Sequence, residues 1–174
     1  MYPNVAHHSV DEDACSAYAS TIQPSFKSLG HQVQPNETGQ VLFYTRCFLD
    51  LVYPLYPIMC EDAIYDAVTT CIKDGFQNNM TSALVMLMVC LGKLYSSPSS
   101  ADEAIGYLNM ATQLLDWLPM ATSLDYAQAH GLSALCFAKL SMLSTASGYL
   151  QRASGILHRF LLEQAILSPP RSIH

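Results

Sequence analysis

The run Ala83–Gly92, ALVMLMVCLG, holds ten consecutive apolar or small residues without a charge. A helix on a protein surface shows polar positions every second or third residue, so this stretch predicts a helix buried on nearly all sides. It is too short to span a bilayer, which needs about 20 residues. Whatever surrounds it must be amphipathic, and the rest of the chain has to supply those faces. It is the first half of a pair spanning Thr81–Leu118, broken at Ser96-Ser-Pro-Ser-Ser100. Pro98 cannot continue a helix and disfavours helical geometry at Ser97. Ser100 and Glu103 then read as a capping box that opens the second helix. Its stripe runs Ala104, Leu108, Ala111, Leu115 and Leu118, at alternating spacings of four and three.

The pair has an echo 42 residues later. Ala104, Gly106, Tyr107, Leu108, Ala111 and Leu115 recur as Ala146, Gly148, Tyr149, Leu150, Ala153 and Leu157, and Gly92 and Tyr95 correspond to Ala134 and Phe137. Small residues that admit close helix approach, with larger ones between, are the pattern of stacked helical hairpins. The echo predicts that Leu108 and Leu150 both lie in the core, and the apolar run predicts a helix crossing at Gly92.

In chain order, residues 1–39 form a polar, irregular arm with one short helical stretch at Ala14–Ile22. His7-His8 near Asp11-Glu-Asp13 reads as a solvated tail rather than a metal site. The helical domain spans 40–167 and a tail 168–174. A helix over Gln40–Val52 leads into Leu51–Met59, where Pro54 and Pro57 predict an extended, aromatic connector packed across helix ends. Glu61–Lys73 forms the next helix, stopping near Gly75, with Ile64, Ala67, Val68 and Cys71 on its apolar face. Beyond the central pair, Ser123 caps a helix to about Leu143, and Ser144 or Thr145 opens a last one ending near Leu167. The fold class is all-α: stacked antiparallel helical hairpins, five to six helices.

An acidic balance, with 14 Asp plus Glu against 8 Lys plus Arg, lacks the clustered positive charge of a nucleic-acid surface. No secretory leader follows the first residues. The six cysteines, at 15, 47, 60, 71, 90 and 136, show neither zinc-site spacing nor a disulfide framework and suit a reducing compartment. The sequons at Asn36 and Asn79 therefore carry no glycan expectation. Catalytic motifs are absent. Gly131-Leu-Ser-Ala-Leu135 lacks the second glycine of a nucleophile elbow, and His130 and Cys136 fall on different faces of one helix. No catalytic, cofactor-binding or metal residue is assigned, and no cofactor.

Two families share this grammar. Leu91-Gly92-x-x-Tyr95 with Ala104, Leu108 and Ala111 looks like one tetratricopeptide repeat, although the echo comes at 42 residues rather than about 34. The fuller resemblance is to the regulatory (middle homology) domain of fungal zinc-cluster transcription factors. It rests on Phe48–Ile58, Ser82–Tyr95, Ala104-x-x-Tyr-Leu-x-x-Ala111, Ser123–Ala129 and Gly148-Tyr-Leu-x-x-Ala153, covering about Gly39 to Gln164. The resemblance implies a nuclear regulator, of a metabolic pathway, that acts through protein–protein contacts. The family's six-cysteine DNA-binding unit has no counterpart here, so the chain reads as a regulatory domain severed from it. The expectations are protein partners with self-association, no direct nucleic-acid contact and no membrane. The sixth helix should leave an apolar face at Leu150, Leu157 and Phe160 partly uncovered. Alternative readings are a helical repeat scaffold unrelated to transcription, and a small-ligand protein or enzyme of a biosynthetic cluster.

Overall fold

The computed structural model describes residues 35–96, 101–119 and 122–167. They form six helices: α1 (Pro35–Leu51), α2 (Glu61–Asp74), α3 (Met80–Ser96), α4 (Ala101–Trp117), α5 (Leu124–Lys139) and α6 (Leu143–Leu167). The architecture is all-α. The helical stretch expected at Ala14–Ile22 and the tail 168–174 lie outside the described residues.

Helix α3 is the axis. Every residue from Ser82 to Leu94 is buried, and α1, α2, α4 and α5 all pack against it, while α6 lies against α5. A helix without a polar face can be stable in water only inside such a ring, where its apolar area is removed from solvent on all sides. Its buried N-terminus needs partners for its free amides. Asn79 Oδ1 accepts from the Ser82 N–H at 2.9 Å, and the Ser82 hydroxyl accepts from the Gln77 N–H at 2.8 Å. Gly75, at φ 78°, makes the turn that brings α2 back to this point; a side chain would strain it.

Three boundaries differ from the sequence reading. Helix α1 starts at Pro35, five residues inside the expected arm, because proline suits the first helical position. The connector after it is not extended throughout. Val52 and Tyr53 donate back to the Phe48 carbonyl and Tyr56 to Val52, continuing the chain as tight turns before Pro57. Its packing is mixed: Val52 is buried and Tyr53, Ile58 and Met59 border the core, but Leu55 and Tyr56 are exposed. Helix α5 stops at Lys139 rather than near Leu143. Ser141 takes the left-handed conformation (φ 62°), Met142 N–H donates to the Phe137 carbonyl and Ser141 N–H to Ala138. This Schellman arrangement satisfies the last carbonyls and lets α6 begin at once, at Leu143. Ser123 caps α5 as expected, accepting from the Tyr126 N–H at 3.2 Å.

The crossing predicted at Gly92 is present. A Cβ placed there would overlap the Tyr44 carbonyl oxygen and come within 2.8 Å of its carbon, whereas one on Gly106 meets nothing within 4 Å. The two helix backbones of α1 and α3 therefore touch, and only glycine fits. Gly92→Ala should destabilise the fold by about 1–3 kcal/mol, since backbone rather than a flexible side chain must shift. Gly106→Ala should stabilise it by about 0.5–1 kcal/mol through helix propensity. Thermal melts of the two variants shifting in the same direction would contradict this crossing.

The echo holds in part. Ala104 and Ala146 are both buried, and so are Leu108, Ala111 and Leu115, but Leu150 is 61% exposed and Leu157 39%. The expectation that Leu150 lies in the core is wrong. Helix α6 turns Tyr149 onto Phe137 and His130 of α5 and packs Ile156 against the core, leaving Leu150 and Leu157 beside the contact. Leu108→Ala should cost about 2–5 kcal/mol. Leu150→Ala should stay within about 0.5 kcal/mol of the parent in a denaturant titration.

Candidate interaction surface

The chemistry-bearing side chains of the described residues are mostly committed to packing. Ser133 is buried and its hydroxyl donates to the Ala129 carbonyl at 2.9 Å. Cys136 lies with its Sγ 3.9 Å from the Leu87 carbonyl, and burial pushes its thiol well up, aided by a hydrogen bond with Cys90. A buried thiol with a raised pKa is a weak nucleophile. His130 and Cys136 are not brought together: His130 sits between the rings of Tyr126 (4.9 Å) and Tyr149 (5.5 Å) instead. No group of three His, Cys, Asp or Glu side chains converges among the described residues. Nor is any described helix long and apolar enough to cross a membrane.

Two buried polar clusters tie the helices in register. In the first, Lys93 has a fully buried side chain. Its ammonium lies 4.1 Å from the centre of the Tyr44 ring and 5.9 Å from that of Tyr107, and donates to Glu103 Oε2 at 2.5 Å. Glu103 was expected to close a capping box with Ser100. Ser100 lies outside the described residues; the Glu103 carboxylate accepts from Lys93. That hydrogen bond and the lysine's charge hold the Glu103 carboxyl below the ordinary 4.5. A buried cation is tolerable only where something replaces its water; here two aromatic faces and one carboxylate do so. The sequence signal was a single cation inside an apolar run, ten residues before a first-turn glutamate, and it was missed.

Lys93→Met keeps the volume and removes the charge, so it should leave Tm unchanged or raise it. Glu103→Ala should lower Tm, because it strands the ammonium, and should have little effect in the Lys93→Met background. A similar loss in both backgrounds would show that the ion pair is not what Glu103 supplies.

In the second cluster, Tyr126 donates to the Leu115 carbonyl at 2.8 Å and Gln128 to the Ile58 carbonyl at 2.8 Å, joining α5 to α4 and to the connector. His130 is 4% exposed and its Nδ1 has no hydrogen-bond partner among the described residues. Burial lowers its pKa below the ordinary 6.5, the positive charge of Arg152 lowers it further, and Asp116 opposes both. The neutral ring is therefore favoured in the folded chain. Stability from this site is present above pH 6.5 and is lost as pH falls from there through the depressed folded value, because the unfolded chain takes up the proton first. Tm should fall on acidification from neutral pH to about pH 5.5, and His130→Phe should flatten that slope. An unchanged slope would place the acid sensitivity elsewhere.

What faces solvent is the more telling feature. Along α6, Leu143 is 70% exposed, Leu150 61%, Leu157 39% and Leu161 56%. The first three recur every seven residues, so they lie on one line along the helix. On the adjoining face of the helix, Tyr149 packs against Phe137 and His130 of α5. From Leu161 to Leu167 every residue is exposed. Phe160, expected on the open face, is half-buried. Leu42 and Phe43 on α1 and Trp117 at the end of α4 form further exposed apolar points. No family model, curated protein or solved structure matches this chain.

Proposed function

We propose that the chain is a non-catalytic interaction domain of a fungal transcription regulator, controlling a metabolic pathway through protein–protein contacts in the nucleus. The observation that supports this reading most directly is the line of leucines on α6. A helix whose buried side already has a partner gains nothing from four more solvent-facing leucines unless a further surface covers them. The sequence resemblance along Phe48–Ile58, Ser82–Tyr95 and Gly148–Ala153 supplies the transcriptional context. With a net charge of −6, DNA contact belongs to another polypeptide segment or partner.

A repeat scaffold outside transcription is the second reading, favoured by the 42-residue echo between the α3–α4 and α5–α6 hairpins. Fusing the whole chain to a heterologous DNA-binding domain in a fungal reporter strain separates the two. A regulatory domain should change reporter output, while the unfused chain should not retard mixed-sequence duplex at physiological salt. An inert fusion, or a chain that grips DNA by itself, would remove the transcriptional reading.

A further inference from the structure

Helix α6 is held from one side. Its backbone packs against α5 and, among the described residues, against no other helix. Only Ala146 of its 25 residues is buried. Local opening follows the least buried elements, so α6 can leave α5 at a lower free energy than the helices around α3 can unfold. What holds it is a row of rings. Tyr149 stacks on Phe137 at 5.1 Å, its ring centre lies 5.5 Å from that of His130, and His130 meets Tyr126 at 4.9 Å. One member of that row can take up a proton.

The charged form of that ring does not suit its place. His130 is buried, and its Nδ1 has no hydrogen-bond partner among the described residues. In the imidazolium both ring nitrogens are donors, so the Nδ1–H would be stranded without an acceptor. From α6, the Tyr149 ring covers His130, and the Arg152 guanidinium lies 5.5 Å from the centre of that same ring. A protonated His130 therefore puts a second cation against a ring that already has one. From α4, the charge of Asp116 favours protonation. On α5 itself, the Tyr126 hydroxyl is already given to the Leu115 carbonyl. Helix α3 carries one charged residue, Lys93, and that is bound to Glu103. Burial and Arg152 outweigh Asp116 and hold the imidazole below its ordinary pKa. Moving α6 away relieves both, since the covering ring and the cation sit on the departing helix.

We infer that α6 is a proton-released strap: one proton taken up by His130 frees it from α5 and uncovers the Phe137–His130 face, while α1 to α5 stay folded. The released state binds the proton more tightly than the closed one. Its share therefore rises as pH falls below about 6.5, by up to about tenfold per pH unit, until pH passes the depressed value of the closed state. The release is independent of any role in transcription.

Amide hydrogen exchange of the full chain from about pH 7.5 to about pH 5.5, corrected for the intrinsic pH dependence of exchange, reads this release. Protection along Leu143–Leu167 of α6 should fall with pH, by up to about tenfold per unit, while protection along Ser82–Leu94 of α3 should hold. His130→Phe keeps the aromatic row and removes the proton site, so α6 should stay protected in acid. Arg152→Gln, at an exposed position that folding does not need, should lessen the fall, because it removes the cation that opposes the His130 proton. Loss of protection in α6 and α3 together would mean unfolding of the whole domain and would overturn the inference. An α6 indifferent to pH would do the same, as would one that loosens equally in the parent and in Arg152→Gln or His130→Phe.

Discussion

The contact between α1 and α3 at Tyr44 is the constraint on which the rest of this fold depends. The Tyr44 carbonyl lies where a side chain of Gly92 would be, and the Tyr44 ring covers the ammonium of Lys93. One residue thus engages two successive positions of the buried helix, one by close approach and one by a cation–π contact. The first requires the absence of a Cβ and the second a cation, so α1 cannot slide along α3 by a residue without losing both. Lys93 then hands the constraint on, since its bond to Glu103 fixes the start of α4 against the end of α3. An apolar helix packed on all sides has no register of its own. Polar contacts at one end give it one, at the cost of burying a charge that a hydrophobic isostere would avoid.

The fold was legible where a sequence pattern has one physical solution. An uncharged run as long as Ala83–Gly92 can only be interior, glycine inside it can only mean close approach, and Ser123 before an apolar stretch can only cap. The boundaries were less legible because they depend on contacts distant in the chain or on backbone geometry. The end of α5 is set by a left-handed Ser141, a residue type that gives no signal of it. The bond between Gln128 and the Ile58 carbonyl spans 70 residues and leaves no local pattern. Of the interaction surface, Leu150 and Leu157 were legible as apolar positions on a last helix. Leu150 was also assigned to the core through the echo, and those two readings could not both be right.

The conflict resolves in the aromatic stack between α5 and α6. Tyr149 lies parallel to Phe137 at 5.1 Å and 25°, and 5.5 Å from His130. Its counterpart Tyr107 has no such ring partner among the described residues and borders the Lys93 ammonium. A large ring inserted between α5 and α6 sets the rotation of α6 about its own axis, so that Tyr149 and Ile156 take the place that Leu108 and Leu115 occupy in the inner hairpin. The leucines inherited from the same pattern are carried round to the side. Related sequences therefore give two hairpins with different outer surfaces.

That difference is a consequence of position in the array. In a stack of hairpins each unit buries one face on its neighbour, and a terminal unit must either present polar residues there or find another partner. Helix α4 lies within the stack, and its stripe is buried against α3. Helix α6 lies at the edge, yet it keeps leucines at 143, 150, 157 and 161 in place of the charges that would cap it. Its charged residues, Arg152, Arg159 and Glu163, all fall off that line. Solubility alone would favour the opposite arrangement. An edge helix that is long, regular and apolar along one line is shaped to continue the stack.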